Sequence, residues 1–108
     1  MSEKENQEKI QQLQMMEQTM QNFLMQRQQF QIQLNEIDSA LTELKGQKVA
    51  YKIVSSIMIK ADPKNLEKEL NEKKRAVELR ISSLEKHEEK MKEKAKSIQQ
   101  DVLGSMKK

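Results

Sequence analysis

The chain is predicted to be mainly α: a long antiparallel two-helix coiled coil with a single β-hairpin between the helices. Three observations predict this. Apolar residues recur at heptad spacing along two long segments that contain neither Gly nor Pro. Between them lies a short stretch of β-branched residues with period two. Aromatic residues make up only 3% of the 108 residues, so a thick globular core cannot be built, while strong helix formers dominate the remainder.

The first helix is expected over residues 2–46. Ser2 and Glu5 have capping-box spacing, which would satisfy free backbone N–H groups at the start. Leu13, Met16, Met20, Phe23, Arg27, Phe30, Leu34, Ile37, Leu41 and Leu44 then follow alternating three- and four-residue steps. All but Arg27 are apolar, which makes a sustained coiled-coil seam. Gly46 supplies the stop.

Residues 47–61, QKVAYKIVSSIMIKA, are expected to form the hairpin. A plain helical hairpin needs only a short loop. Here Val49, Tyr51 and Ile53 alternate, and so do Ile57 and Ile59. A three-residue loop, Val54-Ser55-Ser56, would pair Ile53 with Ile57 and Tyr51 with Ile59, placing all five apolar side chains on one face. A lone hairpin with an apolar face and two free edges is marginal in water. These residues are therefore expected to mediate oligomerisation with hairpins of other chains.

The second helix is expected over residues 62–104. Asp62 is a good N-cap, and Pro63 sits at the first helical position, where its missing N–H costs nothing. The seam is Leu70, Lys74, Val77, Ile81, Leu84, Glu88, Met91, Ala95, Ile98 and Val102, and Gly104 is expected to mark the end. The two seams match antiparallel when paired residue numbers sum to 111. Arg27 and Glu88 then fall in adjacent layers and are expected to touch. Desolvation offsets their attraction, so the expected role is fixing coiled-coil register; the alternative reading is that both side chains snorkel out of a thin seam.

The sequence argues against several kinds of chemistry. There is no Cys, hence no disulfide framework or thiolate metal site. The one histidine, His87, lies beside the second seam without evident partners and is expected to be solvent-exposed filler. Carboxylates alternate with lysines at helical spacing, as in Glu69 with Lys73, and read as a solvated face. Lys73-Lys74-Arg75 reads as a basic patch on an exposed helix. No enzyme activity, metal or cofactor is expected. Residues 1–46 carry four basic and seven acidic side chains, residues 47–108 sixteen and ten, for a net charge of +3. This basic bias is too diluted by acids for a nucleic-acid stripe. No apolar run is long enough for a membrane span and no signal peptide is evident, so a cytoplasmic location is expected.

Antiparallel pairing brings the outer part of both helices together at a free tip. Leu13, Met16, Met20, Ile98 and Val102 belong to the seam there, whereas Ile10, Met15, Met25, Leu103 and Met106 lie off it. Apolar side chains off a seam lack partners inside the hairpin, and Met suits surfaces that bind varied partners. The tip is therefore a candidate client-binding site, formed by Ile10, Leu13, Met15, Met16, Met20, Ile98, Val102, Leu103 and Met106.

Helix, single hairpin and helix, with Leu34-Asn35-Glu36 through Leu41-Thr42-Glu43-Leu44, Tyr51-Lys52 and Ile57-Met58-Ile59-Lys60, resembles the β class of prefoldin subunits. Leu79-Arg80 and Leu84-Glu85 through Glu88-Glu89-Lys90-Met91 carry the likeness into the second helix. The family usually has Gly in the hairpin turn, where this chain has Ser55 and Ser56, and often an acidic approach, where it has Gly46-Gln47-Lys48. The resemblance implies that hairpins build an oligomeric β-barrel in a hexamer of two α-class and four β-class subunits. It further implies an ATP-independent holdase that grips non-native polypeptide clients at the coiled-coil tips and passes them to a group II chaperonin. Neither nucleic acid nor membrane is among the implied partners. The competing reading is a structural coiled-coil tether or adaptor, which has no need for an adhesive β linker.

Overall fold

A computed structural model describes residues 3–106. Four elements follow one another: α1 (Glu3–Leu44), β1 (Ala50–Val54), β2 (Ile57–Ala61) and α2 (Pro63–Met106). The expected cap Ser2 lies outside the described residues. α1 stops where Gly46 turns the chain with a φ of 74° and Gln47 donates its backbone N–H to the Leu44 carbonyl at 3.2 Å. A left-handed residue just past a helix is the position where glycine has no steric cost. α2 opens as expected, with Pro63 as first helical residue and the Asp62 carbonyl accepting from Leu66 N–H at 2.9 Å.

The far end of α2 departs from expectation. Gly104 does not end the helix, which continues to Met106, and Gly104 keeps ordinary negative φ. One glycine costs a helix only about 1 kcal/mol relative to Ala, too little to stop it without a competing cap. Ser105 and Met106 can continue the helix, and Ser105 has a partner that rewards its doing so, described below.

The fold forms two compact units. The terminal unit combines the chain up to Gln28 with the chain from Ser82 onward; the hairpin unit is Gln29–Ile81. In each, one segment of α1 lies antiparallel to one of α2. In the terminal unit Asn6 meets Ser105 and the Phe23 ring stacks on His87, with centroids 6.0 Å apart. His87 is thus exposed, as expected, but one ring face is covered. In the hairpin unit the Arg80 guanidinium lies 5.5 Å from the Phe30 ring centroid, and Lys74 reaches Asp38 at 2.8 Å.

Every seam position named from the sequence is buried or half-buried, and almost all its neighbours are exposed. The buried apolar residues among those described are Met16, Ala50, Val77 and Val102, none of them completely. A two-helix contact can cover only one stripe of each helix, so half-burial is the rule here. The hairpin is a two-stranded antiparallel sheet with the register Ala50↔Ala61, Tyr51↔Lys60, Lys52↔Ile59, Ile53↔Met58 and Val54↔Ile57.

Candidate functional site

The register corrects the sequence expectation. Ile53 pairs with Met58 rather than Ile57, and Tyr51 with Lys60 rather than Ile59. The loop has two residues, Ser55 and Ser56, both with positive φ (49° and 69°). Positive φ at both central positions is the signature of a type I′ turn, whose twist matches that of the flanking strands. This turn adds the Val54↔Ile57 pair and brings the small residues Ala50 and Ala61 together at the sheet's inner end, where Ala50 is buried.

A one-residue slip exchanges faces along one strand relative to the other. Tyr51 and Ile53 therefore share a face with Met58 and Lys60, while Ile57 and Ile59 lie with Lys52 and Val54. The five apolar residues named for assembly do not occupy one face; Val49 lies just before β1. Both faces are apolar and both are open: Ile53 is 72% exposed, Met58 67% and Ile57 64%. Sequence reasoning missed Val54 and Met58. The signal was the nearly unbroken apolar run on either side of Ser55-Ser56, the pattern of strands covered on both faces. Lys52 extends to Glu69 of α2 at 3.4 Å and ties one hairpin face to the helix.

In the terminal unit the structure separates the named residues. Met16 and Val102 are buried in the seam, and Leu13, Met20 and Ile98 are half-buried there. Ile10, Met15, Leu103 and Met106 stand off the seam and are exposed, Met15 by 70%. Met25 is exposed as well. Beyond Leu13 the same spacing continues through Lys9 and Asn6, and beyond Val102 through Ser105, all half-buried. Asn6 Nδ2 donates to Ser105 Oγ at 3.3 Å, and Lys9 lies 3.6 Å from Asp101. These polar layers close the seam. They escaped sequence reasoning because the seam was traced through apolar residues alone.

The contact expected between Arg27 and Glu88 is present, with Arg27 Nε donating to Glu88 Oε1 at 3.1 Å. Both side chains are largely covered, so each would be costly to leave unpaired. Lys74, the other basic seam residue, donates to Asp38, and that hydrogen bond holds its ammonium pKa above the ordinary 10.5. Among the described residues no His, Asp or Glu cluster is placed to hold a metal, and no helix is long and apolar enough to cross a membrane.

Comparison with known proteins agrees with this architecture. The family model described as "Prefoldin subunit" matches residues 7–108. A prefoldin subunit beta of Archaeoglobus fulgidus is 38% identical over 98 residues, spanning 86% of this chain and 83% of the relative. That of Thermococcus onnurineus is 33% identical, over 88% and 84% of the two chains. The crystal structure of the prefoldin beta subunit from Thermococcus strain KS-1 superposes with a TM-score of 0.87 at 30% identity, covering 94% of this chain and 91% of that one. With two long helices, one antiparallel hairpin between them and sequence likeness along nearly its whole length, this chain belongs to the prefoldin family, in its β class.

Proposed function

We propose that the chain is a β-class subunit of a hexameric, ATP-independent holdase, assembling through its hairpin with an α-class partner. Prefoldin subunits are non-enzymatic chaperone components, and family membership supports a chaperone-type role. The finer reading is that the terminal unit captures non-native polypeptides in the cytoplasm and hands them to a group II chaperonin. One observation carries it. Ile10, Met15, Leu103 and Met106 remain exposed off a seam that is otherwise closed. Exposed apolar side chains clustered on one unit favour contact with other apolar chains.

The test is an aggregation assay with a chemically denatured client, with and without an α-class partner. Substoichiometric protein should delay aggregation. Changing Met15, Leu103 and Met106 together to Ser should remove most of the delay while native mass stays unchanged. No delay by the unaltered protein under either condition would defeat the holdase reading.

A further inference from the structure

We propose that the outward face of α1 in the terminal unit is a docking surface for uncharged, extended segments of non-native polypeptide. The inference rests on the holdase reading and specifies both the surface and the client chemistry. In heptad terms the seam residues of α1 occupy a and d, and positions b, c and f point away from α2. Between residues 11 and 28 every b, c and f position is Gln or Asn, except Met15 and Met25. All of them are exposed, and among the described residues none of these amide side chains hydrogen-bonds within the chain. From Ile10 to Gln26 the one charged residue is Glu17.

This is unusual for a solvated helix face, which ordinarily carries charges of both signs. The α2 segment of the same unit does so, with Lys86, Glu89, Lys90 and Glu93 on its outward positions. The contrast lies within one unit, so general solubility does not explain it.

The chemistry of the face selects its occupant. A carboxamide offers two N–H donors and a carbonyl acceptor, the same kinds of group that a peptide bond presents. A non-native chain carries backbone groups that secondary structure would otherwise satisfy. Amides can exchange water for these groups at far lower cost than charges can. Met15 and Met25 supply polarizable apolar contact that adapts to varied side chains. Without fixed charge, the face neither attracts nor repels by net electrostatics, so an uncharged segment fits it best.

The experiment measures binding of a fluorescent peptide of Leu, Val, Ser and Asn to the full chain. One variant combines Gln14→Lys, Gln18→Glu, Gln21→Lys and Met25→Glu, which keeps net charge near balance and places opposite charges at helical spacing. It should bind about tenfold more weakly or worse, with helix content and native mass unchanged. The control variant Lys86→Gln, Glu89→Gln, Lys90→Gln, Glu93→Gln should bind within about twofold of the unaltered chain, and salt between about 0.05 and 0.5 M should change affinity little. Equal binding by the α1 variant overturns the inference. So does loss of binding with rising salt, or a drop in native mass showing that the face is covered by a second copy. If the α1 variant binds normally and only a Leu103→Ser, Met106→Ser variant loses binding, the holdase reading stands and this surface does not. If the unaltered chain neither binds the peptide nor delays client aggregation, the holdase reading itself fails.

Discussion

Two residue pairs show how much single side chains decide here. Arg27 and Glu88 interrupt two apolar seams, yet each satisfies the other at 3.1 Å. Removing one partner strands a largely covered charge, whereas removing both replaces them by packing. Glu88→Ala should therefore cost about 1–2 kcal/mol in thermal unfolding followed by circular dichroism. Arg27→Leu with Glu88→Leu should match or exceed the parent's stability. That double variant should also broaden spin-label distances between the helices if the pair sets register; unchanged distances would remove that role. Ser55 and Ser56 are the second pair. Both occupy left-handed backbone, which costs a residue with a Cβ roughly 1–2 kcal/mol. Asn-Gly is the favoured type I′ sequence. Ser55→Asn with Ser56→Gly should slow amide exchange at Val54 and Ile57 and at the next hydrogen-bonded pair, Lys52 and Ile59; faster exchange there would contradict the two-residue turn.

At the scale of the element, the hairpin carries the most information. Sequence alternation identified both strands, and the length of the linker allowed only one hairpin. The turn was not legible, because Ser has weak preference among turn types and neither Gly nor Asn marks the corner. That ambiguity of one residue propagated into the assignment of every facing side chain. The observed register makes a discriminating prediction. Met58→Asp and Ile57→Asp lie on opposite faces, and each should lower the assembled mass by native mass spectrometry. Under the three-residue loop Met58 would face away from the apolar set, and its substitution would be tolerated. Assembly unaffected by Met58→Asp would mean that this face stays open to water in the oligomer.

For the molecule as a whole, the proposed assembly predicts a link to stability. Few apolar residues are buried among those described, and the hairpin leaves both faces open. If it assembles as proposed, a chain with so little interior should gain much of its stability from association, which depends on concentration. Its melting temperature should fall by about a few degrees for each tenfold dilution, measured by circular dichroism. A midpoint constant across a hundredfold dilution series would show that the isolated chain is stable by itself.

The amino-acid sequence alone determined both helices, the antiparallel matching of their seams, the meeting of Arg27 with Glu88, and the existence of one mid-chain hairpin. Those features arise from periodicity and from local stops such as Gly46 and Pro63, which act over a few residues and leave a direct trace in the chain. Tertiary structure decided the hairpin register, the passage of α2 through Gly104, and the polar closure by Asn6, Lys9, Asp101 and Ser105. Each of these depends on a partner distant in the chain. Small residues must meet where strands join helices, and a polar pair is recognisable only once both members share a layer. The same holds for Met15, Leu103 and Met106, whose spacing puts them off the seam but whose exposure is set by what the fold leaves uncovered.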